Sequence, residues 1–443
     1  FSYLAVKLRS MGFMHHPFPM QIFRAYDIRG KVSLLNVSMV NAIAHGLAQQ
    51  YQSAGQTRVA IGYDARLSSP TYAHIIQRTL SLYAIEAHII GCCSSPMLYY
   101  TSREFGGNGI MITASHNPRE DNGIKWLINN QPPCPEMIQA VGLEAQKYYS
   151  DELQQIDWIE HEIIPEYCLK YQQSILNDIQ LKRRYRVVLD GLNGSAGRCA
   201  ALVLNKLGCD LTTIRTEANG HFPDHAPDPS QEAHLQLLKA KVLETRADLG
   251  IALDGDGDRL VLIDADGQVI TADQLLCLCA EICLKDTVDK EFVFDVKCST
   301  LVRNTVQALG ATPVMIRTGS SFLRKYLANS QGQAIFGGEY AGHYVFNDGR
   351  GGGYDDGVYA ALRVMEYLDQ TGQTLAEALA RYPKRTGTED LYISTHQIKP
   401  LELLNFVEAQ SRKLNARISK IDGIRLDFDD GFGIIRASNT GEY

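Results

Sequence analysis

Short apolar segments that predict strands alternate with amphipathic segments that predict helices along most of the 443-residue chain. The clearest predicted strands are residues 58–64, 87–91, 185–190 and 312–319. This alternation is typical of βαβ units, in which helices cover a parallel sheet. Ligands of such sheets bind beyond the carboxyl ends of the strands, so the loops there are the candidate sites. The length suggests about three domains, each able to bury a core.

Composition excludes several classes of function. Apolar residues make up 45% and charged residues 21% of the chain, as in an ordinary globular protein. A net charge of −7 leaves no basic excess to neutralise the phosphates of a nucleic acid. No apolar run is long enough to span a bilayer. Ten cysteines in so long a chain do not indicate a disulfide framework, and residues 273–283, which hold three of them, predict a buried helix. We therefore expect a reduced, cytoplasmic protein with neither nucleic-acid nor membrane partners and no obligatory protein partner.

A serine lies on the loop after one predicted strand. Residues 110–112 are apolar, and residues 113–118 (TASHNP) are the loop that follows them. Pro118 disfavours helical backbone at Asn117, which predicts a tight, exposed turn carrying Ser115 and His116. A serine at the mouth of a sheet, beside a histidine and near Lys125, can act as a nucleophile or carry a phosphoryl group. The alternative is a polar loop whose serine only caps the backbone.

Three aspartates lie together on a second loop. Residues 254–259 (DGDGDR) join two apolar segments and carry Asp254, Asp256 and Asp258. Carboxylates this close repel one another unless a cation or several donors offset the charge. Oxygen ligands of this kind suit Mg²⁺, which often shares them with a phosphate oxygen. A solvated acidic turn is one alternative; an EF-hand is excluded, because its sixth and twelfth positions would be Arg259 and Ala265.

Other loops carry candidate ligand-binding residues. Residues 335–343 (IFGGEYAGH) place a carboxylate and an imidazole on a glycine-flanked turn, where they can bind neighbouring sugar hydroxyls. Residues 433–440 (GIIRASNT) combine a guanidinium, two hydroxyls and an amide, a set that suits phosphate. Residues 23–30 (FRAYDIRG) are, by themselves, typical of a surface turn. Residues 191–197 (GLNGSAG) match neither common nucleotide-binding pattern, which favours a plain strand-to-helix turn.

Four of these segments resemble, in order, the motifs of the α-D-phosphohexomutases, most closely those of the phosphomannomutase and phosphoglucomutase branch. They are TASHNP with the following NGIK, then DGDGDR, GEYAGH and RASNT, and the likeness covers residues 21–440. The resemblance implies three related mixed-sheet α/β domains around a central cleft and a smaller α+β C-terminal domain. The domains expected are 21–150 with a phosphoserine loop, 151–262 with a metal loop, 263–371 with a sugar loop and 372–443 with a phosphate loop. Family members continue further, so we expect the natural chain to extend past Tyr443.

The same resemblance implies an isomerase that interconverts hexose 1-phosphate and hexose 6-phosphate, of mannose, glucose or both. Phosphoserine 115 would exchange its phosphoryl group with the sugar through a hexose 1,6-bisphosphate intermediate and activator, with Mg²⁺ as cofactor. The metal ligands implied are Asp254, Asp256, Asp258 and Ser115. The catalytic candidates are Ser115, His116, Lys125, Arg259, Lys297 and His343. The substrate-binding candidates are Tyr26, Arg29, Glu339, Arg436, Ser438, Asn439 and Thr440.

Two positions depart from the family pattern, and the resemblance also leaves two alternative functions to consider. Ala341 replaces a usual serine and Ser320 a frequent histidine, which leaves the chemistry intact but bears on sugar binding. A phosphoglucosamine mutase is one rival, although GEQSGH and RPSGTEP would then be expected. A non-catalytic sugar-phosphate-binding relative is the other, and retention of Ser115, Lys125 and the three aspartates argues against it.

Overall fold

The computed structural model describes residues 18–150 and 161–437, apart from positions 286, 288, 385, 386, 389, 390, 392, 394–397 and 430. Within these residues the strands form four sheets, each built from one continuous part of the chain. Helices lie between the strands of the first three sheets, as the alternating pattern predicted.

The first sheet has the strand order β1-β5-β4-β2-β3. The central strand is β4; β2 pairs in parallel with β4 and with β3, whereas β5 runs antiparallel to both β4 and β1. The strands are β1 Ile28–Lys31, β2 Arg58–Tyr63, β3 Glu86–Cys92, β4 Gly109–Ile112 and β5 Asp121–Leu127. The helices are Val37–Ser53, Ser69–Ser81, Ser95–Ser102 and Pro135–Ala145, with short 3-10 turns at Met20–Ile22 and Arg103–Phe105.

The second and third sheets repeat one arrangement, β7-β6-β8-β9 and β11-β10-β12-β13. The strands are β6 Arg186–Asp190, β7 Asp210–Ile214, β8 Leu249–Leu253, β9 Leu260–Asp264, β10 Glu291–Asp295, β11 Thr312–Ile316, β12 Ala334–Gly338 and β13 Tyr344–Phe346. The helices are Pro165–Asp178, Gly197–Lys206, Gln236–Thr245, Ala272–Leu284, Thr300–Ala308, Ser320–Asn329 and Gly357–Thr371, with a 3-10 turn at Glu232–Leu235. Residues 191–197 form the turn into the helix Gly197–Lys206, as predicted.

In all three sheets the last strand runs antiparallel to its neighbour, because a loop without a helix joins the two. The alternating sequence pattern predicted the parallel pairs; the mixed sheets were expected only from the resemblance, and they are confirmed. These three loops, between β4 and β5, β8 and β9, and β12 and β13, are the serine, aspartate and sugar segments of the sequence. The repeated topology therefore places all three candidate segments at equivalent points of three related domains.

A smaller antiparallel sheet of order β14-β15-β16 follows, with β14 Arg417–Ser419, β15 Ile424–Asp427 and β16 Phe432–Ile435. The helices Leu375–Leu379 and Pro400–Ser411 precede it. The buried Arg425 pairs with Asp427 and donates to the carbonyl of Cys298 at 2.6 Å. This C-terminal unit is thereby anchored beside the carboxyl end of β10.

The helix Ala272–Leu284 is the predicted buried cysteine-rich helix. It begins at a capping box formed by Thr271 and Gln274. Its three cysteines are buried, and all ten cysteines of the chain are free thiols. Among the described residues, no helix combines the length and the apolar character needed to cross a membrane.

The core of the third sheet generates a stability prediction. Phe336 is fully buried, with ring centroids 4.6 Å from Phe292 and 4.9 Å from Phe346. Phe336→Ala should destabilise the protein by about 3–5 kcal/mol, because it removes a buried ring and leaves a cavity. Leu82→Ala, at a side chain that is 74% exposed, is the control and should cost about 0.5 kcal/mol or less. Urea titration with hydrogen exchange of residues 334–338 measures both; a Phe336→Ala cost equal to that of the control would contradict this packing.

Candidate active site

The serine and aspartate loops meet at the centre of the molecule. A Cβ placed on Gly255 would lie 2.4 Å from the Ser115 carbonyl oxygen, so only glycine allows this approach. The sugar loop joins them through a bridge between Arg259 and His343 and through the Leu260 amide, which donates to the Gly342 carbonyl at 3.0 Å. The structure thus brings together three loops that are far apart in sequence.

Ser115 faces the aspartates directly. Its Oγ donates to Asp254 Oδ2 at 2.6 Å and lies 3.3 Å from His116 Nδ1. Its backbone is left-handed, with φ of 52°, and its amide donates to Thr113 Oγ1 at 2.8 Å. The expectation of an exposed turn was wrong for this residue, which is only 2% exposed. The reason is the aspartate loop, which packs over the serine.

Asp254, Asp256 and Asp258 are fully buried, and one oxygen from each lies within 4.8 Å of the others. Lys125 Nζ donates to Asp256 Oδ2 at 2.9 Å and to Asp258 Oδ2 at 3.0 Å. Burial alone would lower the pKa of Lys125, but these two carboxylates raise it well above its ordinary value. Burial and the two neighbouring carboxylates raise the pKa of Asp254. One ammonium therefore faces three carboxylates.

The aspartates fit a divalent cation. Asp256 Oδ1 and Asp258 Oδ1 are buried, and neither has a hydrogen-bond donor among the described residues. Carboxylate oxygens in excess of their donors are the ligands that Mg²⁺ prefers. A second cluster, of Asp258, His343 and Asp355, also has ligand spacing. In this second cluster, the side chains of Arg259 and Arg324 supply the positive charge.

On the sugar loop, each ring nitrogen of His343 lies close to a charged side chain. Arg259 Nε donates to His343 Nε2 at 3.0 Å, and His343 Nδ1 lies 2.9 Å from Asp355 Oδ2. Arg324 Nε lies 3.5 Å from Asp355 Oδ1. This chain fixes the direction of the Arg259 guanidinium relative to the aspartate loop.

Glu339 lies near the start of the same loop and is 2% exposed. Its Oε1 accepts a hydrogen bond from the Gly319 amide at 2.6 Å, and burial raises its pKa to about 7. Tyr26 is half-buried, and its ring lies beside Gly319. The first and third domains thus place Tyr26 and Glu339 near each other.

Arg29 lies on β1, and its side chain contacts the serine loop instead of extending into solvent. It pairs with Asp27 at 2.6 Å and donates to Asn117 Oδ1 at 3.2 Å. Its side chain is 8% exposed, so its contacts in this structure are with the protein itself.

The remaining candidates are Lys297 and the residues of the phosphate loop. Lys297 Nζ lies 5.7 Å from the ring centroid of Tyr340 on the sugar loop. Arg436 pairs with Asp422 at 3.2 Å, and Asp422 accepts from the Thr318 amide of the third domain at 3.2 Å. The other three candidates of the phosphate loop, Ser438, Asn439 and Thr440, fall outside the described residues.

Two site residues escaped the sequence analysis. Ser95, at the start of the helix Ser95–Ser102, donates through Oγ to Asp256 Oδ2 at 2.5 Å. Asp355 orients His343. A Ser-Pro pair before a helix predicts only a cap, and an aspartate next to Asp356 predicts only a helix start, so neither pattern indicated a contact with another domain.

Comparison with known proteins agrees with this geometry. Three family models match in order: phosphoglucomutase/phosphomannomutase alpha/beta/alpha domain I over residues 20–150, domain II over 166–267 and domain III over 271–385. A phosphomannomutase/phosphoglucomutase of Pseudomonas syringae pv. tomato is 34% identical over 431 residues, covering 95% of this chain and 90% of the relative. A phosphoglucomutase of Neisseria gonorrhoeae is 35% identical over 427 residues, with the same two coverages of 95% and 90%.

A solved structure supports the same assignment. The phosphoglucomutase/phosphomannomutase family protein of Burkholderia thailandensis superposes with a TM-score of 0.86 at 30% identity, covering 96% of this chain and 92% of that one. The three matched domains carry, in sequence order, the serine, aspartate and sugar loops that meet around Ser115. On this evidence of sequence, fold and loop order, the protein belongs to the phosphoglucomutase/phosphomannomutase family.

Proposed function

We propose that this phosphohexomutase passes a phosphoryl group between Ser115 and a hexose phosphate. As an isomerase it interconverts the 1- and 6-phosphates of mannose, glucose or both, and a hexose 1,6-bisphosphate is the intermediate. The observation that carries the proposal is the 2.6 Å hydrogen bond from Ser115 Oγ to Asp254, within a cluster of three buried carboxylates. A serine that only capped its own loop would have no need of this cluster.

Asp254, Asp256 and Asp258 are the residues that would hold Mg²⁺, together with an oxygen on phosphorylated Ser115. When bound, the ion supplies positive charge that offsets the charge developing on the phosphoryl group. Lys125 supplies further positive charge, because its two carboxylate partners keep it protonated. Arg259, whose guanidinium donates to His343, is a second cation beside the aspartate loop.

The transfer itself breaks the bond between phosphorus and Ser115 Oγ and forms one between phosphorus and the free sugar hydroxyl. The hydroxyl proton leaves the sugar and is returned to Ser115 Oγ. His116 is suited to carry it, because its Nδ1 lies 3.3 Å from Ser115 Oγ. Burial, with Arg259 and Arg29 nearby, lowers the pKa of His116 well below the ordinary value, which favours the neutral imidazole and makes it a weaker base than a free histidine. His343 and Lys125 are less suited, because their partners already engage them.

The bisphosphate must then turn over, so that its second phosphate faces Ser115. Tyr26, Arg29 and Glu339 are the residues that would contact the sugar. Arg259 and Lys297 would give electrostatic support. Arg436, with Ser438, Asn439 and Thr440, would hold the phosphate that is not reacting. In this scheme domains 21–150, 151–262, 263–371 and 372–443 each contribute one loop.

Two further choices complete the proposal. Relatives named phosphoglucomutase and phosphomannomutase favour glucose and mannose over glucosamine, so the phosphoglucosamine mutase alternative is not better supported. Ten free thiols favour the reducing cytoplasm as the place of action. Coupled assays with glucose, mannose and glucosamine 1-phosphates test the substrate assignment.

Ser115→Ala should abolish turnover, because it removes the phosphoryl carrier while the loop around it is retained. Intact-mass measurement and peptide mapping of the active enzyme should find phosphate on Ser115. Ser81→Ala, at an exposed serine, is the matched control and should leave activity unchanged. Full activity of Ser115→Ala would refute the proposal.

Asp256→Asn should reduce turnover at least about tenfold, because it weakens the cation site and removes one partner of Lys125. Asp266→Asn, at an exposed aspartate after β9, is the control and should behave as the wild type. Exhaustive chelation should mimic Asp256→Asn, and added Mg²⁺ should restore the wild type. Activity that survives complete metal removal would count against the cation assignment.

Ala341→Ser should lower KM for hexose 1-phosphates by at most about tenfold, because one hydrogen bond adds about 0.5–1.5 kcal/mol. Activity without this hydroxyl is expected, since Glu339 and Arg436 remain available to the substrate. Steady-state kinetics on glucose and mannose 1-phosphates give the answer. If Ala341→Ser were inactive, the alanine would be making room for a different ligand and the sugar assignment would be wrong.

A further inference from the structure

We infer that Arg66 is the positioning residue that holds Ser115 in the conformation required for phosphoryl transfer. The inference rests on the proposed function, since it concerns the geometry of the reacting serine. Arg66 follows β2 and is 1% exposed, although a guanidinium is strongly hydrated in water. A buried cation must find charge and acceptors inside the protein, and those of Arg66 identify its role.

All five donors of the Arg66 guanidinium are used, which is the full capacity of the group. Its Nε donates to Asp64 Oδ2 at 3.0 Å. Three of the other four hydrogen bonds go to backbone carbonyls of the serine loop, Ser115 at 2.9 Å, Asn117 at 2.7 Å and Pro118 at 2.6 Å, and the fourth goes to the carbonyl of Asp121, where β5 begins, at 3.0 Å. One side chain therefore fixes the loop on both sides of His116.

The serine loop needs such a fixed centre for two reasons. Ser115 has a φ of 52°, a left-handed backbone that a residue with a side chain adopts only when its surroundings impose it. The loop and the start of β5 also turn four carbonyl oxygens towards one buried point, where their dipoles repel one another unless a cation lies between them. The Arg66 guanidinium satisfies both requirements.

Asp64 completes the support from the other side. Its Oδ2 also accepts from Thr113 Oγ1 at 2.8 Å, and Thr113 Oγ1 in turn accepts from the Ser115 amide at 2.8 Å. The amide and the carbonyl of Ser115 are thus both tied to the Asp64–Arg66 pair. Rotation of the Ser115 backbone would break hydrogen bonds at both ends.

The second domain packs against the same arginine. The ring centroid of Phe222 lies 5.3 Å from the Arg66 guanidinium carbon, and a Cβ on Gly220 would lie 2.3 Å from the Ala65 carbonyl. Gly255 of the aspartate loop lies against the Ser115 carbonyl that Arg66 binds. Arg66 thereby sets the position of Ser115 Oγ relative to Asp254 across the boundary between two domains.

Arg66→Lys tests the inference, because lysine keeps the charge but its three donors cannot replace the five of the planar fork. Arg215→Lys is the matched control. Arg215 also follows a parallel strand, and its side chain is 10% exposed. It donates through Nε to Asp190 Oδ1 at 3.0 Å and through Nη2 to Asp190 Oδ2, with its other contacts on Asp224, His225 and His234. Both changes weaken one arginine–aspartate pair, but of these two arginines only Arg66 binds the serine loop.

Two measurements separate positioning from general stability. The first is the single-turnover rate constant for transfer from phosphorylated enzyme to glucose 1-phosphate, which does not depend on the folded fraction. Arg66→Lys should lower it about 10–100-fold with KM changed less than about threefold, because a displacement of about 1 Å is enough for this loss. The second is hydrogen exchange of residues 113–121, which should quicken in Arg66→Lys alone. Arg215→Lys should keep the transfer rate constant within about twofold of the wild type.

The inference is overturned if Arg66→Lys matches Arg215→Lys in both measurements. If Arg66→Lys does not fold, Asp64→Asn serves instead: it keeps the arginine, weakens its anchor and should give the same changes to a smaller degree, and unchanged values would overturn the inference. If the proposed function itself were wrong, the measurements would give a different result. The wild type would then show no phosphate on Ser115 and no transfer, while exchange of residues 113–121 would still respond to Arg66→Lys.

Discussion

The structure depends on the balance of charge around three buried carboxylates. Burying one ionised carboxylate is costly, and burying three within 4.8 Å of one another is sustained only where positive charge and donors surround them. Lys125, Ser95 and Ser115 supply part of this from the first domain. The donors thus come from one domain and the acceptors from the next. The cleft between these domains is therefore held together by the same groups that would act on the substrate.

The repeated topology explains why such contacts are possible. In each of the three α/β domains, a parallel strand is joined to an antiparallel strand by a loop without a helix. A short connection of this kind keeps its polar residues at the carboxyl end of the parallel strand, where neither a helix nor another strand covers them. Glycines then allow close approach, as Gly255 does at the Ser115 carbonyl. Three loops of one kind, on three domains that face each other, build one site from distant parts of the sequence.

Much of this could be predicted from the sequence, because strands, helices and loop chemistry are local properties. The apolar run before Ser115, the aspartates between two strands and the buried cysteine-rich helix were all found where the pattern indicated. What the sequence could not predict depends on packing between domains. Ser115 was expected on an exposed turn, but the aspartate loop covers it. In the sequence, Arg66 is one residue of a short segment after a predicted strand, with no sign of a special role. Its carbonyl partners lie about fifty residues away in sequence. No periodicity or composition signal reports contacts of that range.

The hydrogen bond between Ser115 and Asp254 also implies that the site has two electrostatic states under the proposed function. A serine hydroxyl can donate to Asp254, but a phosphoserine has no hydroxyl hydrogen on Oγ and adds about 1.5–2 negative charges. In the phosphorylated state Asp254 loses its hydrogen-bond donor and faces added negative charge. More positive charge is then needed near Asp254 to offset it. Lys125 already bridges two carboxylates, and Arg259 is held by His343 in a fixed direction. The additional positive charge therefore has to come from a further cation, and the oxygens open to one are Asp256 Oδ1 and Asp258 Oδ1, acceptors without donors among the described residues. A divalent cation held by Asp254, Asp256 and Asp258 would supply this charge, and the same protein ligands would serve both states.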